Sequence, residues 1–199
     1  MSAPRTSTGS ASTCTGTRSA SPSPSPSSRR AEAKLRALEE RASIDALTKL
    51  SNAQALQDEL DRHAATFPLG VLVLDFDGLR EANAAFGYTD GGDVLIRAVG
   101  SALARLAKPT EFAARMHTAG DEFALLVPGA DEAATSRRAQ EVEAALDALH
   151  VSAPLDEIYR GASVGFAQRR ADESPGQCLG RAVESMRERK RQRSVKASP

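Results

Sequence analysis

The chain has 199 residues, 41% of them hydrophobic, which is enough for one folded domain with a sizeable core plus tails. Its 26 basic and 26 acidic residues cancel, so overall charge gives no argument for binding nucleic acid or an anionic membrane, and any anion site must be local. No apolar run reaches the roughly 18 residues of a membrane span, so we expect a soluble protein. The two cysteines, Cys14 and Cys178, support neither a disulfide framework nor a metal-thiolate cluster, so we expect it in the reducing cytoplasm.

The N-terminal region is divided by composition. Residues 1–30 are nearly all Ser, Thr, Pro, Gly, Ala and Arg, which predicts a disordered tail. A Ser-rich, acid-poor start is also typical of an organellar transit peptide, although no amphipathic apolar face is present. Residues 31–43 begin a charged segment with a partly apolar stripe, which predicts an exposed or self-pairing linker helix reaching about residue 48. The folded domain is expected over residues 44–194, with a short tail at 195–199.

Within the folded domain, helical and extended patterns alternate without internal repeats. Apolar residues at helical spacing predict helices at 53–65, 93–107, 131–149 and 175–193. Short apolar runs predict strands at 70–77 and 159–167 and a hairpin made by "FAARMHT" and "FALLV". Asp93 is placed to cap the second of these helices. The order predicts an α/β sandwich.

Four carboxylates are expected to converge at one edge of the sheet. Asp75 and Asp77 are two residues apart, so they share a face at the end of a strand. Asp121 and Glu122 occupy the turn of a hairpin that could lie beside that strand. Carboxylates from adjacent strands suit a hard divalent cation such as Mg²⁺. The alternative is structural, because acidic pairs are common at turns and strand ends.

Four blocks of sequence, in this order, resemble the GGDEF family of diguanylate cyclases, and they cover about 150 residues from Ser43 to the last helix. The blocks are "IDALTKLSN" (44–52), "VLDFDGLREANAAFGYTDGGDVL" (73–95), "AARMHTAGDEFALLVPG" (113–129) and "GASVGFA" (161–167). The resemblance implies a central, mainly antiparallel sheet flanked by helices, like the palm of class III nucleotide cyclases. It also implies a nucleotidyltransferase of bacterial signalling that joins two GTP molecules into cyclic di-GMP.

The resemblance assigns a metal and catalytic set to this chain. Asp75 matches the first metal-binding Asp, and the carbonyl of Phe76 a customary backbone ligand, with Mg²⁺ or Mn²⁺ as the metal. Asp121 matches the acidic third position of the signature, which binds metal and helps to deprotonate the attacking 3′-hydroxyl, and Glu122 fills the fourth. Gly120 lies in the turn over which the nucleotide passes. In phosphoryl transfer, metal charge and alignment do most of the work.

The resemblance also assigns four nucleotide-binding residues. Asn83 matches the guanine-reading Asn, whose amide offers both a donor and an acceptor. Asp93 matches a second guanine contact. Arg80 replaces the family's phosphate-binding Lys, and Lys190 matches the Lys of the last helix that reaches toward phosphate. Without the resemblance, the run "MRERKRQR" would be interpreted as a solvated basic face.

The chain departs from the family pattern around the nucleotide. The first signature Gly is Ala119, and the inserted pair His117 and Thr118 is expected to lengthen or bulge the strand before the turn. The loop "YTDGGD" has one residue more than usual. Further replacements are Tyr88 for a His, Ala84 for an Asp, Ala53 for an Arg and Ser194, beside Arg193, for an Arg.

The family's inhibitory product site, an Arg-x-x-Asp aligned through Arg115, is "KPTE" here, Lys108 to Glu111. Charge signs persist, but Lys cannot form the bidentate, stacked contacts of Arg. We therefore expect weak or absent product inhibition.

Two functional hypotheses follow. In the first, the chain is a diguanylate cyclase acting as a homodimer, because one domain holds one GTP and so only half the reaction. In the second, it is a degenerate domain that binds GTP or serves as a signalling interaction module. Neither involves nucleic acid or a membrane.

Overall fold

The computed structural model describes residues 43–118 and 120–197. The predictions for the tail 1–30, for most of the linker helix 31–43, and for Ala119 concern residues outside these ranges. The described helices are α1 (Ala53–Arg62), α2 (Leu79–Gly87), α3 (Asp93–Leu106), α4 (Glu132–Asp147) and α5 (Pro175–Ala197). The strands are β1 (Leu69–Phe76), β2 (Phe112–Arg115), β3 (Glu122–Pro128) and β4 (Ala162–Gln168). The helix α2 was not predicted as a separate element.

The four strands form one open sheet in the order β2-β3-β1-β4, and each neighbouring pair is antiparallel. The strand β1 is therefore central, and all eight of its residues are buried. This arrangement confirms the predicted α/β fold with an antiparallel sheet flanked by helices.

Apolar side chains cover both faces of the sheet. Alternate residues of β1 point to opposite faces, and they join two separate buried clusters. Leu72, Leu74 and Phe76 pack with residues of α3 and α4, whereas Val71 and Val73 pack with residues of α1 and α5. Burial on both faces explains why β1 is a continuous apolar run that becomes acidic only where the strand ends.

The start of α3 differs from the prediction. Asp93 does not cap the helix: the N-cap is Gly92, which makes no side-chain capping hydrogen bond, and Asp93 is the first helical residue. A π-helical segment, Tyr88–Gly92, leads directly into α3. A π turn accommodates an extra residue within a helix, which accounts for the longer loop noted in the sequence. Asp93 instead forms an ion pair with Arg97, at 3.8 Å.

The segment after the linker also differs from the prediction, because residues 43–51 form a turn instead of continuing a helix. The Asp45 carboxylate accepts hydrogen bonds from the backbone N–H of Thr48 at 2.8 Å and from its hydroxyl at 2.7 Å. Lys49 has φ of 63°, and a bridge between Ile44 and Ser51 closes the turn. A side-chain carboxylate bonding locally in this way competes with helix formation.

The inserted residues His117 and Thr118 do not bulge the hairpin. The pairing of β2 with β3 is regular from Phe112 opposite Leu126 to Arg115 opposite Phe123. Met116 continues it by donating to the Glu122 carbonyl at 2.9 Å. The insertion therefore widens the turn, in which Gly120 N–H donates to the His117 carbonyl at 3.3 Å. None of the helices in the described ranges is long and apolar enough to cross a membrane.

Candidate functional site

The site begins where β1 ends. Asp75 lies opposite Glu122 on β3 and opposite Ser163 on β4, and it is only 8% exposed. The chain then turns at Asp77 and Gly78 into α2. Gly78 has φ of 107°, and a Cβ there would lie 2.5 Å from the Ile158 carbonyl oxygen, so this turn requires glycine.

A lysine from the far end of the chain contacts this carboxylate. Lys190 Nζ on α5 lies 2.6 Å from Asp75 Oδ1 and 3.9 Å from Asp77 Oδ1. Burial lowers the pKa of Lys190, but the hydrogen bond to Asp75 and the charges of Asp75, Asp121 and Asp77 outweigh it, so the pKa is raised. The lysine is therefore held as a cation among carboxylates.

The Asp75 carboxyl is harder to ionise than an ordinary aspartate. Burial raises its pKa most, and the nearby negative charges of Asp121 and Asp77 raise it further, to about 6, although the Lys190 contact lowers it. Desolvation and like charges disfavour the anion more than one ammonium group favours it. An additional cation bound here would therefore relieve an unfavourable concentration of negative charge.

Two cavities lie beside these residues. The larger one, of about 810 Å³, is lined by the turn after β1, the first turn of α2, the signature turn and α5. Its ionisable lining residues are Asp77, Arg80, Glu81, Asp121, Arg160, Lys190 and Arg193. The first turn of α2 has a glycine N-cap without a side-chain capping hydrogen bond. A helix N-terminus that faces a cavity in this way, together with cationic side chains, suits a phosphate group.

A smaller cavity of about 420 Å³ shares Leu79, Arg80 and Asp121 with the larger one, and its lining also includes Asn83 and Tyr88. The Oδ1 atom of Asn83 is buried and has no hydrogen-bond partner among the described residues. A Cβ at position 92 would lie 2.1 Å from this oxygen, so Gly92 allows Asn83 to occupy its position. The Asn83 side chain lines the cavity, and its amide offers both a donor and an acceptor to the edge of a polar ligand.

The structure brings together most, but not all, of the predicted site residues. Asp75, Asp121, Arg80, Asn83 and Lys190 lie in or directly beneath the two cavities. Asp93 is not among the described residues that line either cavity.

Two residues of the signature turn make local contacts. Glu122 pairs with His117 Nε2 at 3.3 Å. Gly120 accepts two hydrogen bonds at its carbonyl, both from Arg115, at 3.2 Å from Nε and 2.9 Å from Nη2.

Sequence reasoning missed the buried pair that supports this turn. Arg115 and Asp45 are 3% and 5% exposed, and Arg115 Nη1 lies 3.4 and 3.3 Å from the two carboxylate oxygens. Burial raises the pKa of Asp45, but its hydrogen bonds with Thr48 and the charge of Arg115 outweigh this effect and lower the pKa. An arginine inside an apolar strand was the available signal, since such a residue needs a buried partner. Arg115 thus connects the turn carrying Asp121 to the start of the domain.

The residues at the candidate inhibitory site are engaged with protein groups. The carboxylate of Glu111 accepts from Arg138 at 2.8 and 2.9 Å and from the Lys108 backbone N–H at 2.8 Å. Lys108 is exposed and lies 3.9 Å from Glu141. Glu111 is therefore not free to receive a ligand without breaking a buried ion pair.

Carboxylate and backbone carbonyl oxygens are the donor types that a divalent metal takes. Asp75 and Asp121 are close enough for their charges to interact, and the positive charge of Lys190 lies against Asp75. The described residues contain no cluster of three or more His, Cys, Asp or Glu side chains with metal-binding geometry. The predicted set needs only two carboxylates and the Phe76 carbonyl, with substrate phosphate oxygens completing the shell.

Comparison with known proteins gives the class. Residues 42–196 match the family described as "Diguanylate cyclase, GGDEF domain". The chain therefore belongs to the GGDEF family. Proteins of this family generally use a divalent metal, bind GTP and cyclic di-GMP, and often dimerise.

Individual relatives agree with this assignment. The cyclic di-GMP phosphodiesterase PdeR of Escherichia coli (strain K12) is 34% identical over 142 residues, covering 70% of this chain and 20% of PdeR. The diguanylate cyclase DosC of the same strain is 30% identical over 130 residues, covering 62% of this chain and 28% of DosC. The crystal structure of the coiled coil and GGDEF domain of DgcB from Caulobacter crescentus in complex with c-di-GMP superposes with TM-score 0.73 at 30% identity, covering 82% of this chain and 88% of that one. The chain thus spans less than a third of these two curated relatives.

Proposed function

We propose that the chain is a diguanylate cyclase domain that condenses two GTP molecules into cyclic di-GMP. One observation carries this proposal: Asp121 lines both cavities. On one side of it lies a cavity with four cationic side chains, and on the other the smaller cavity lined by Asn83. A nucleotide with its base in the smaller cavity and its β- and γ-phosphates in the larger one would have its α-phosphate near Asp121.

The protein groups have distinct roles in this proposal. Asn83 binds the guanine edge. Asp93, the first residue of α3, makes a second contact with the base after its side chain changes rotamer and leaves Arg97. Arg80, Lys190 and the N-terminal turn of α2 bind phosphate oxygens. Binding along the whole nucleotide aligns its α-phosphate, and this alignment accounts for much of the rate of phosphoryl transfer.

Asp75, Asp121 and the carbonyl of Phe76 would hold Mg²⁺ or Mn²⁺. The metal, when bound, supplies positive charge that offsets the charge of the triphosphate. Asp121 and Glu122 stand beside the point at which a 3′-hydroxyl would approach, and Asp121 accepts its proton. Gly120, with its carbonyl held by Arg115, keeps Asp121 in position.

The reaction joins two nucleotides through two new phosphodiester bonds, and each forms when a 3′-oxygen attacks an α-phosphate, the bond from that phosphate to the β-phosphate breaks, and pyrophosphate leaves. One domain with one nucleotide site supplies half of it. We therefore propose that catalysis takes place in a homodimer whose two sites face each other. We propose that the linker at residues 31–43 governs this assembly, with residues 44–194 as the catalytic domain.

A second candidate, a degenerate domain that binds GTP without turnover, is favoured by one contact. Lys190 holds the Asp75 carboxylate at 2.6 Å, at the position where a metal would bind. If Lys190 does not move onto phosphate when nucleotide arrives, the metal cannot reach Asp75.

The test is to incubate purified protein at high concentration with GTP and Mg²⁺ or Mn²⁺ and to detect cyclic di-GMP by mass spectrometry. We expect product from the wild type and from Asp172→Asn, which alters an exposed acid outside both cavities, but none from Asp121→Asn. GTP binding without product would favour the degenerate domain. Product formation by Asp121→Asn at the wild-type rate would contradict the proposed mechanism.

A further inference from the structure

The larger cavity has a cationic residue that the sequence analysis did not single out, Arg160. It precedes β4, its side chain is 61% exposed, and it lines the larger cavity but not the smaller one. The residue therefore lies in the part of the cavity away from Asn83.

The backbone of Arg160 is firmly anchored. Its N–H donates to the Asp77 carbonyl at 3.4 Å, and its own carbonyl accepts from Arg193 Nη2 at 2.8 Å. The following residue, Gly161, accepts from the Asp77 N–H at 3.0 Å. Backbone hydrogen bonds thus connect the turn that carries Asp77 with the loop that carries Arg160.

Two of the four cations in this cavity make close contacts, at 2.6 and 3.1 Å, with protein carboxylates. Lys190 contacts Asp75, as described above. Arg193 donates to both oxygens of Asp147, at 3.1 and 3.2 Å, and to the Ala162 carbonyl at 3.0 Å. Arg193 is next to Ser194, the position at which the resemblance leads one to expect an arginine. Arg193 does not replace that arginine, because these contacts hold its guanidinium against the protein.

Arg160 has a much weaker engagement. Among the described residues its guanidinium pairs with Glu81 at 3.7 Å, and the two side chains are 61% and 41% exposed. Exposed pairs at such a distance contribute little. A guanidinium that is only loosely held can exchange this partner for a phosphate group, which it binds through two parallel N–H donors.

We propose that Arg160 binds the β- or γ-phosphate of the nucleotide. This inference rests on the proposed binding of GTP. Glu81, the competing partner, lines the same cavity and opposes the phosphate charge. The two residues of one ion pair should therefore act on nucleotide affinity in opposite directions.

The test measures the affinity of an α,β-methylene GTP analogue, which cannot turn over, in the presence of Mg²⁺ by titration calorimetry. We expect Arg160→Ala to weaken binding about tenfold, the size of one charge-assisted hydrogen bond at a partly exposed site. Glu81→Gln should strengthen it, and neither change should alter GMP affinity comparably, because GMP lacks the outer phosphates. Arg170→Ala, an exposed arginine beyond the other end of β4, is the matched control and should leave the affinity unchanged.

The outcomes separate this inference from the proposed function. Equal weakening by Arg160→Ala and Glu81→Gln would mean that the pair only supports the fold, and the inference would be overturned. Unchanged affinity in Arg160→Ala beside normal wild-type binding would overturn the inference alone. Absence of nucleotide binding by the wild type would overturn the proposed function and this inference with it.

Discussion

The buried pair of Arg115 and Asp45 provides the strongest stability prediction. We consider the change Arg115→Met, which keeps much of the side-chain length but removes the charge and all donors. Two interactions would be lost together: the ion pair with Asp45 and the two hydrogen bonds to the Gly120 carbonyl. The change therefore tests both the fold and the position of the signature turn.

The expected magnitude follows from the geometry. Removing one partner of a buried ion pair costs about 3–5 kcal/mol in general. Here Asp45 keeps its two hydrogen bonds from Thr48, and its contacts with Arg115 are rather long, at 3.3 and 3.4 Å. We therefore expect a loss near the lower end, about 3 kcal/mol in the free energy of unfolding. For a domain of this size, such a loss lowers Tm by about 6–12 °C.

The assay is urea unfolding at pH 7, followed by circular dichroism, on a double-mutant cycle that adds Asp45→Asn. The coupling between the two sites should be at least about 1 kcal/mol. The pKa of Asp45 is lowered in the folded state, so its contribution is present above the unfolded pKa and is lost as the pH falls through the folded value. The coupling should therefore shrink in acid. A loss below about 1 kcal/mol in Arg115→Met, or additive single changes, would refute this account.

Three further predictions concern the site and the inhibitory region. Gly92→Ala should weaken binding of the GTP analogue and also lower Tm, because its Cβ would lie 2.1 Å from Asn83 Oδ1 and 2.9 Å from Leu79 Cδ1, so both side chains must shift. Gly180→Ala, with open space around its Cβ, should stabilise the domain by about 0.5–1 kcal/mol and leave binding unaltered. The folded pKa of Asp75 is raised to about 6, so its contribution to stability is full below the unfolded pKa and is lost as pH rises through about 6. The free energy of unfolding of Asp75→Asn minus that of the wild type should therefore be more positive at pH 7.5 than at pH 4.5. A difference in urea unfolding that does not change with pH would contradict this. Cyclic di-GMP should bind weakly or not at all in calorimetry, and saturable binding that is abolished by Lys108→Ala would show the inhibitory site to be functional.

Local sequence patterns predicted most of the fold. The apolar runs and helical spacings predicted the strands and all the described α-helices except α2. Three local expectations were wrong: a cap at Asp93, a helix through residue 48, and a strand lengthened or bulged by His117 and Thr118. The π turn and the hydrogen bonds of Asp45 replaced the first two. Such alternatives differ by single hydrogen bonds, which periodicity does not reveal.

The sequence by itself determined the family, because four blocks in order are specific, and it determined that acidic side chains end β1 and begin β3. Only the tertiary structure decided what those carboxylates meet. Lys190 contacts Asp75 across 115 positions of the chain, and Arg160 lines the cavity from the loop before β4. The raised pKa of Asp75 likewise depends on burial and on neighbouring charges from separate elements. These effects are set by the packing of distant segments and by loss of solvent, and neither is encoded in local spacing.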